Sequence, residues 1–163
     1  MLDQQLVLGT VMNIVAVVFH VTVFVGLSRF LRRLETALWR IPRGLFIGIT
    51  MVTAVLVILL THTAEAIAWA VLYRGVGELE SFYQALYFSV VTSTTLGYGD
   101  ITLSERWQLL ATFEAMGGMI LFGASTAFLM QAMQHLFASD MPGPHRRIEP
   151  TLPGNAPPMT TAI

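Results

Sequence analysis

Cysteine, lysine and charge in general are absent or scarce in this chain of 163 residues. The absence of cysteine excludes a disulfide scaffold, thiol redox chemistry and thiolate metal sites. Arginine supplies every basic side chain, and the net charge of −1 offers no basic field for a nucleic acid partner. Charged residues form only 12% of the chain, about half the share of a soluble domain.

Hydrophobic residues form 55% of the chain and are grouped in long apolar runs. Three runs, 6–27, 45–73 and 107–137, are long enough to cross ~30 Å of hydrocarbon as helices. A fourth run, 82–93, is too short to span and is expected to be re-entrant or buried. The pattern predicts an all-α, multi-pass membrane protein of the cell (inner) membrane, with the lipid bilayer as a partner.

Arginine placement predicts the orientation in the membrane. Five of the nine arginines lie in the segment 29–43, which the positive-inside rule places in the cytoplasm. The N-terminus carries Asp3 and no basic residue before the first run, so we expect it outside. Three crossings then put the C-terminus in the cytoplasm. Part of 29–43 is expected to form either an interfacial helix or an ordinary charged loop.

The sequence Thr-Leu-Gly-Tyr-Gly at 95–99 can line a path for a dehydrated cation. Gly97 and Gly99 tolerate positive φ, so φ can alternate in sign along the segment. Alternation would aim the carbonyls of Thr95, Leu96, Gly97 and Tyr98 in one direction, and several copies around an axis would form rings of oxygens. An ordinary glycine turn is the alternative, but it explains neither the preceding threonines nor the apolar runs on both sides.

This segment resembles the selectivity filter of the potassium-channel pore family, with leucine in place of the usual valine. The resemblance covers roughly 45–137, and the chain is similar to short bacterial members of the two-helix ion-channel superfamily that carry an extra N-terminal helix. It implies passive conduction of potassium through a filter at 95–99, with potassium bound at Thr95, Leu96, Gly97 and Tyr98. Because each chain has one filter strand, it implies a homotetramer around a fourfold axis.

The resemblance also divides the chain into segments. They are an N-terminal transmembrane helix (1–28), a cytoplasmic arginine-rich connector (29–43), a pore module (44–138) and a cytoplasmic tail (139–163). The pore module contains the outer helix, the re-entrant pore helix, the filter and the inner helix. The tail holds six of the seven prolines, which predicts disorder.

The same resemblance implies roles for residues around the filter. Asp100 at the outer mouth is expected to bond Tyr87 of the pore helix. Thr94 lies at the C-terminal end of that helix, where partial negative charge favours a cation. In the inner helix, three glycines either form a gating hinge or allow close helix packing, namely Gly117, Gly118 and Gly123.

The apolar runs contain titratable residues, where charge is costly, and three of them are His62, Glu65 and Glu114. Glu65 and Glu114 are each eight residues from an outer helix end, which predicts a similar depth of ~12 Å. His62 precedes Glu65 by three residues and shares its helix face. We predict that the three form a buried polar network that braces the pore helix. The alternative is that each bonds a nearby group separately.

Other functional classes have less support from the sequence. We expect no enzyme, because no nucleophile–base spacing stands out, and no cofactor apart from permeant potassium. No run carries regularly spaced arginines, so a voltage sensor is not expected. A poorly selective cation channel remains an alternative that Tyr98 disfavours, because relatives that pass sodium lack this tyrosine. A non-conducting membrane subunit with a retained pore sequence is a second alternative, and an unidentified regulatory partner is left open.

Overall fold

The computed structural model describes residues 2–38 and 40–138. These ranges contain four helices and no strand: α1 (Leu2–Ala37), α2 (Arg43–Gly75), α3 (Phe82–Ser93) and α4 (Gln108–Ala138). Helices α1, α2 and α4 are long and apolar enough to cross a membrane. The predicted all-α membrane fold is therefore confirmed. The tail at 139–163, for which we predicted disorder, lies outside the described residues.

Helix α1 differs from prediction in its length, since it continues past residue 27 through most of the connector to Ala37. The connector is neither a separate interfacial helix nor a loop up to that point. Its leucines, arginines and alanine favour helix, and glycine and proline are absent from 29–37. Pro42 precedes α2, and the residue before a proline avoids helical geometry. The link between the two helices therefore shortens to 38–42.

The short helix α3 packs against both α2 and α4, whereas α1 packs against α2 and α4 only. Trp69 and Tyr73 of α2 form the core with Phe88 of α3 and Trp107 and Leu110 near the start of α4. The Tyr73 and Phe88 rings meet edge to face with centroids 5.1 Å apart. This core fixes α3 between the two helices that flank it in sequence.

The outer faces of the long helices are apolar. In the most apolar part of each candidate span, only 17% to 28% of the residues are buried within the chain. A soluble protein rarely exposes so much contiguous apolar surface. Lipid or further copies of the chain must therefore cover these faces.

Candidate functional site

The backbone of 95–99 alternates in the sign of φ. Thr95, Gly97 and Gly99 have φ of 59°, 56° and 77°, whereas Leu96 and Tyr98 are not in the positive region. Positive φ is rare for a β-branched residue such as Thr95 and costs of order 1–3 kcal/mol. Strain of this kind persists at sites where the surrounding structure enforces it. The segment therefore has the backbone pattern that directs successive carbonyls to one side.

Hydrogen bonds hold this segment against the end of α3. The amides of Leu96 and Gly97 both donate to the carbonyl of Val91, at 3.0 and 3.3 Å, and the amide of Thr95 donates to Thr92 at 2.9 Å. All described peptide bonds are trans, so each carbonyl points opposite to the amide that follows it. The carbonyls of Thr95 and Leu96 therefore point away from α3 and are free to meet a cation.

Side chains at both ends of the segment are fixed by hydrogen bonds. The Tyr87 hydroxyl donates to Asp100 Oδ2 at 2.8 Å, the pairing that the resemblance implies. This bond raises the pKa of the Tyr87 hydroxyl, which stays protonated as the donor. The Thr94 hydroxyl donates to the carbonyl of Val90 at 2.7 Å and satisfies one of the last carbonyls of α3. Both contacts anchor the segment to α3.

The three predicted hinge glycines have different surroundings. A side chain on Gly117 would overlap Asn13 of α1, and one on Gly118 would overlap the backbone carbonyl of Ser93 at the end of α3. Close helix packing therefore accounts for these two glycines. Gly123 has open space around it, and α4 runs through all three positions without a break. Packing gives no reason for a glycine at 123, where a hinge stays a prediction.

Comparison with known proteins identifies the segment that contains this site. Residues 56–135 match a family model described as an ion channel. Over this segment, the chain is similar to the ion channel family. The matched range takes in most of α2, all of α3, the 95–99 segment and most of α4. No curated protein and no solved structure matches the chain. A channel is a transport protein, and the match points away from an enzyme.

The titratable residues of this ion channel segment divide into two networks, which corrects the single network predicted from the sequence. His62 and Glu65 bond each other, with 3.0 Å between Nδ1 and Oε2. Glu114 bonds Tyr73 and Ser89 instead. No described hydrogen bond joins Glu65 to Glu114, although both line one small cavity of about 20 Å³.

The first network is a ring that includes two residues not predicted from the sequence, His20 of α1 and Ser125 of α4. His20 Nδ1 lies 2.7 Å from Glu65 Oε1, and His62 Nδ1 lies 3.0 Å from the other carboxylate oxygen. The Nε2 atoms of both histidines lie 3.1 and 3.0 Å from the Ser125 hydroxyl oxygen. The ring therefore joins α1, α2 and α4.

The second network joins α2, α3 and α4 around Glu114, which is fully buried. The Tyr73 hydroxyl donates to Glu114 Oε2 at 2.6 Å, and the Ser89 hydroxyl contacts Oε1. Ser89 also lies 2.9 Å from the carbonyl of Ala66. Since Ser89 belongs to α3, this network braces the helix that carries the 95–99 segment.

The predicted network is split because the two glutamates face different partners. Ser125, which contacts both histidines of the ring, lies eleven residues beyond Glu114, about 16 Å along α4. Tyr73, which bonds Glu114, lies eight residues beyond Glu65 on α2. His20 was visible as the single titratable residue of the first apolar run, but its partners depend on how the helices pack.

Proposed function

We propose that this ion channel conducts potassium passively and selectively as a homotetramer, with residues 95–99 of each chain lining the axis. The observation that carries the proposal is the positive φ at Thr95, Gly97 and Gly99, with the amides of Leu96 and Gly97 held against α3. In four copies the carbonyls of 95–98 form stacked oxygen rings that replace the hydration shell of potassium. The C-terminal end of α3 adds partial negative charge behind the filter.

Exposed side chains in the single chain support assembly. Leu96 and Tyr98 are 55% and 66% exposed, although both are large and lie beside the strand. Burial of such side chains is favourable, and neighbouring copies around an axis supply the missing contacts. A mass measurement in detergent is expected to give four chains per particle. A conducting monomer or dimer would contradict the fourfold arrangement.

Two alternative functions predict different transport. A poorly selective cation channel would have the same fold with a looser filter, and a non-conducting subunit would have the filter without flux. Relatives that pass sodium lack a tyrosine at the position of Tyr98, so the presence of this tyrosine favours the selective channel. The separating experiment is cation flux in liposomes that contain the purified chain.

The flux experiment compares potassium and sodium gradients in otherwise identical liposomes. We expect potassium flux well above the leak of protein-free liposomes, and sodium flux close to that leak. Equal fluxes of the two ions would support the poorly selective channel. No flux of either ion, from particles of confirmed tetrameric mass, would support the non-conducting subunit.

We infer an orientation with the N-terminus outside and the C-terminus in the cytoplasm of the cell (inner) membrane, because of the arginines in 29–43. The chain lacks cysteine, so a thiol reagent can label only the single cysteine introduced by Gln4→Cys or by Ala37→Cys. An impermeant thiol reagent applied outside intact cells is expected to label position 4 and not position 37. Labelling at position 37 alone would reverse the topology.

A further inference from the structure

The ring of His20, Glu65, His62 and Ser125 contains no residue of the proposed filter and has no role in conduction derived above. His20 is 1% exposed, and the side chains of Glu65 and His62 are 9% and 12% exposed. The metal-ligating atoms of His20, His62 and Glu65 all lie within 4.8 Å of one another. Three such groups, from the consecutive helices α1 and α2, converge in an apolar environment.

Neutral imidazoles supply too few hydrogens for the contacts in this ring. Two neutral imidazoles carry one N–H each and Ser125 carries one O–H, so three hydrogens are available when Glu65 is ionised. The four contacts of the ring, and the 3.0 Å contact from Ser125 to the carbonyl of Leu121, require five. With neutral imidazoles, two contacts would therefore place lone pair against lone pair in a buried site, which is unfavourable. Doubly protonated imidazoles would supply the two missing hydrogens, but they would place two positive charges beside one carboxylate in a buried site.

A metal cation beside Glu65 removes the shortage. We propose that His20 and His62, through their Nδ1 atoms, and Glu65, through its carboxylate, bind one divalent transition-metal ion of the zinc class. Both imidazoles then carry hydrogen on Nε2 and donate to the two lone pairs of Ser125 Oγ. The Ser125 hydroxyl donates to Leu121, so every polar atom of the ring has a partner. Ligating histidines commonly donate their other N–H to an outer group in this way.

The donor set favours zinc over potassium, calcium or magnesium. Imidazole nitrogen suits zinc, copper and nickel, whereas hard cations prefer oxygen alone. Two histidines and one carboxylate form a common zinc ligand set that leaves a fourth position for water. Tetrahedral zinc spaces its donors by about 3.3 Å, so the Nδ1–oxygen distances of 2.7 and 3.0 Å need to open only slightly.

The surroundings accommodate both the fourth ligand and the charge. His62 and Glu65 line the cavity of about 20 Å³, which is large enough for one water. Glu114 lines the same cavity, so two carboxyl groups face a cation of charge +2. A bound metal would link α1 to α2 directly and to α4 through Ser125. It would therefore fasten the N-terminal helix to the ion channel segment.

Metal content tests the proposal on the full chain, without a histidine tag. Protein in detergent is stripped with a chelator, loaded with Zn²⁺ and freed of excess metal, and bound zinc is counted per chain. We expect one zinc per chain and a higher unfolding temperature with zinc. His20→Gln and Glu65→Gln are expected to abolish retention, whereas the matched control His135→Gln, on α4 outside the ring, retains it.

Ser125→Ala tests whether Ser125 only holds the ligating histidines or binds the metal itself. Removal of the hydroxyl leaves all three ligands in place, and we expect zinc affinity to fall about 10- to 100-fold without a change in stoichiometry. Unchanged affinity in this variant, or unchanged zinc retention in both folded ligand variants, would overturn the proposed arrangement.

X-ray absorption of the zinc-loaded unmodified chain decides the matter if the variants fail to fold. The expected first shell is two imidazole nitrogens and oxygen at ~2.0–2.2 Å. A shell of oxygens only, or no retained zinc, would leave the ring as a hydrogen-bonded structure without metal. None of these measurements requires ion flux, so the proposal is tested independently of potassium selectivity.

Discussion

Replacement of Gly97 by alanine tests the backbone geometry of the proposed filter. Gly97 has φ of 56°, and a Cβ built there meets no atom within 4 Å. The substitution therefore creates no clash within the chain, and its cost is the strain of an L-residue in the left-handed region, about 1–2 kcal/mol. Four chains around one axis raise the cost to about 4–8 kcal/mol. Because 1.4 kcal/mol is a factor of ten, the filter geometry loses about 10³- to 10⁶-fold in population.

The assay measures potassium flux into liposomes that contain either Gly97→Ala or a control variant in which a different glycine is replaced by alanine. Gly26 of α1 also has open space around its Cβ position but a helical φ, so Gly26→Ala adds the same methyl group without strain. We expect Gly97→Ala to lose selective potassium flux and Gly26→Ala to retain it. Normal selective flux through Gly97→Ala, in tetramers of unchanged mass, would refute the assignment of 95–99 as the filter.

Two further predictions concern the contacts between α4 and the rest of the pore module, and thermal unfolding in detergent measures both. Gly118→Ala is expected to destabilise the chain by about 1–3 kcal/mol, because its methyl group would meet the backbone carbonyl of Ser93. Gly123→Ala is expected to leave the stability of the chain unchanged or to raise it by up to about 1 kcal/mol, because a Cβ at this position meets no other atom. Equal changes in stability for the two variants would contradict this expectation. Tyr73→Phe and Glu114→Gln are each expected to destabilise the chain. Because the two side chains bond each other, we expect a coupling energy of about 0.5–3 kcal/mol in the double variant. Strictly additive effects would contradict this bond.

The elements of the fold were predictable from the sequence because their signals are local. The apolar run 45–73 lies within α2 (Arg43–Gly75), and the short run 82–93 coincides with α3 (Phe82–Ser93). The length of α1 was not predictable from hydropathy, because its last residues are arginines and leucines that form helix without lying in an apolar run. Hydropathy indicates where a chain meets lipid, whereas helix propensity determines where a helix ends.

The partners of buried polar residues were not predictable, because they depend on long-range packing. His20 and Ser125 are 105 residues apart, and nothing in the spacing of either relates it to the other. His62 and Glu65 could be paired from the sequence because three residues on one helix bring side chains together. Glu114 was expected at the depth of Glu65, but depth alone does not determine which way a helix face points.

The contacts of α4 indicate where this helix can bend. Glu114 and Gly118, one turn apart on α4, meet Ser89 and Ser93, one turn apart on α3. Bending at Gly118 would therefore break the packing at the base of the 95–99 segment. Bending at Gly123 would leave both contacts intact, since it lies more than one turn further along the helix.

A bend at Gly123 would act on the histidine ring instead. Ser125 lies two residues beyond Gly123 and contacts the histidines of α1 and α2 at 3.1 and 3.0 Å. These contacts fix the part of α4 that would have to move, so movement there requires that Ser125 leave the ring. Whatever stabilises the ring therefore also opposes bending of α4, while the contacts at Ser89 and Ser93 keep the 95–99 segment in place. The two polar networks thus restrain different parts of the same helix.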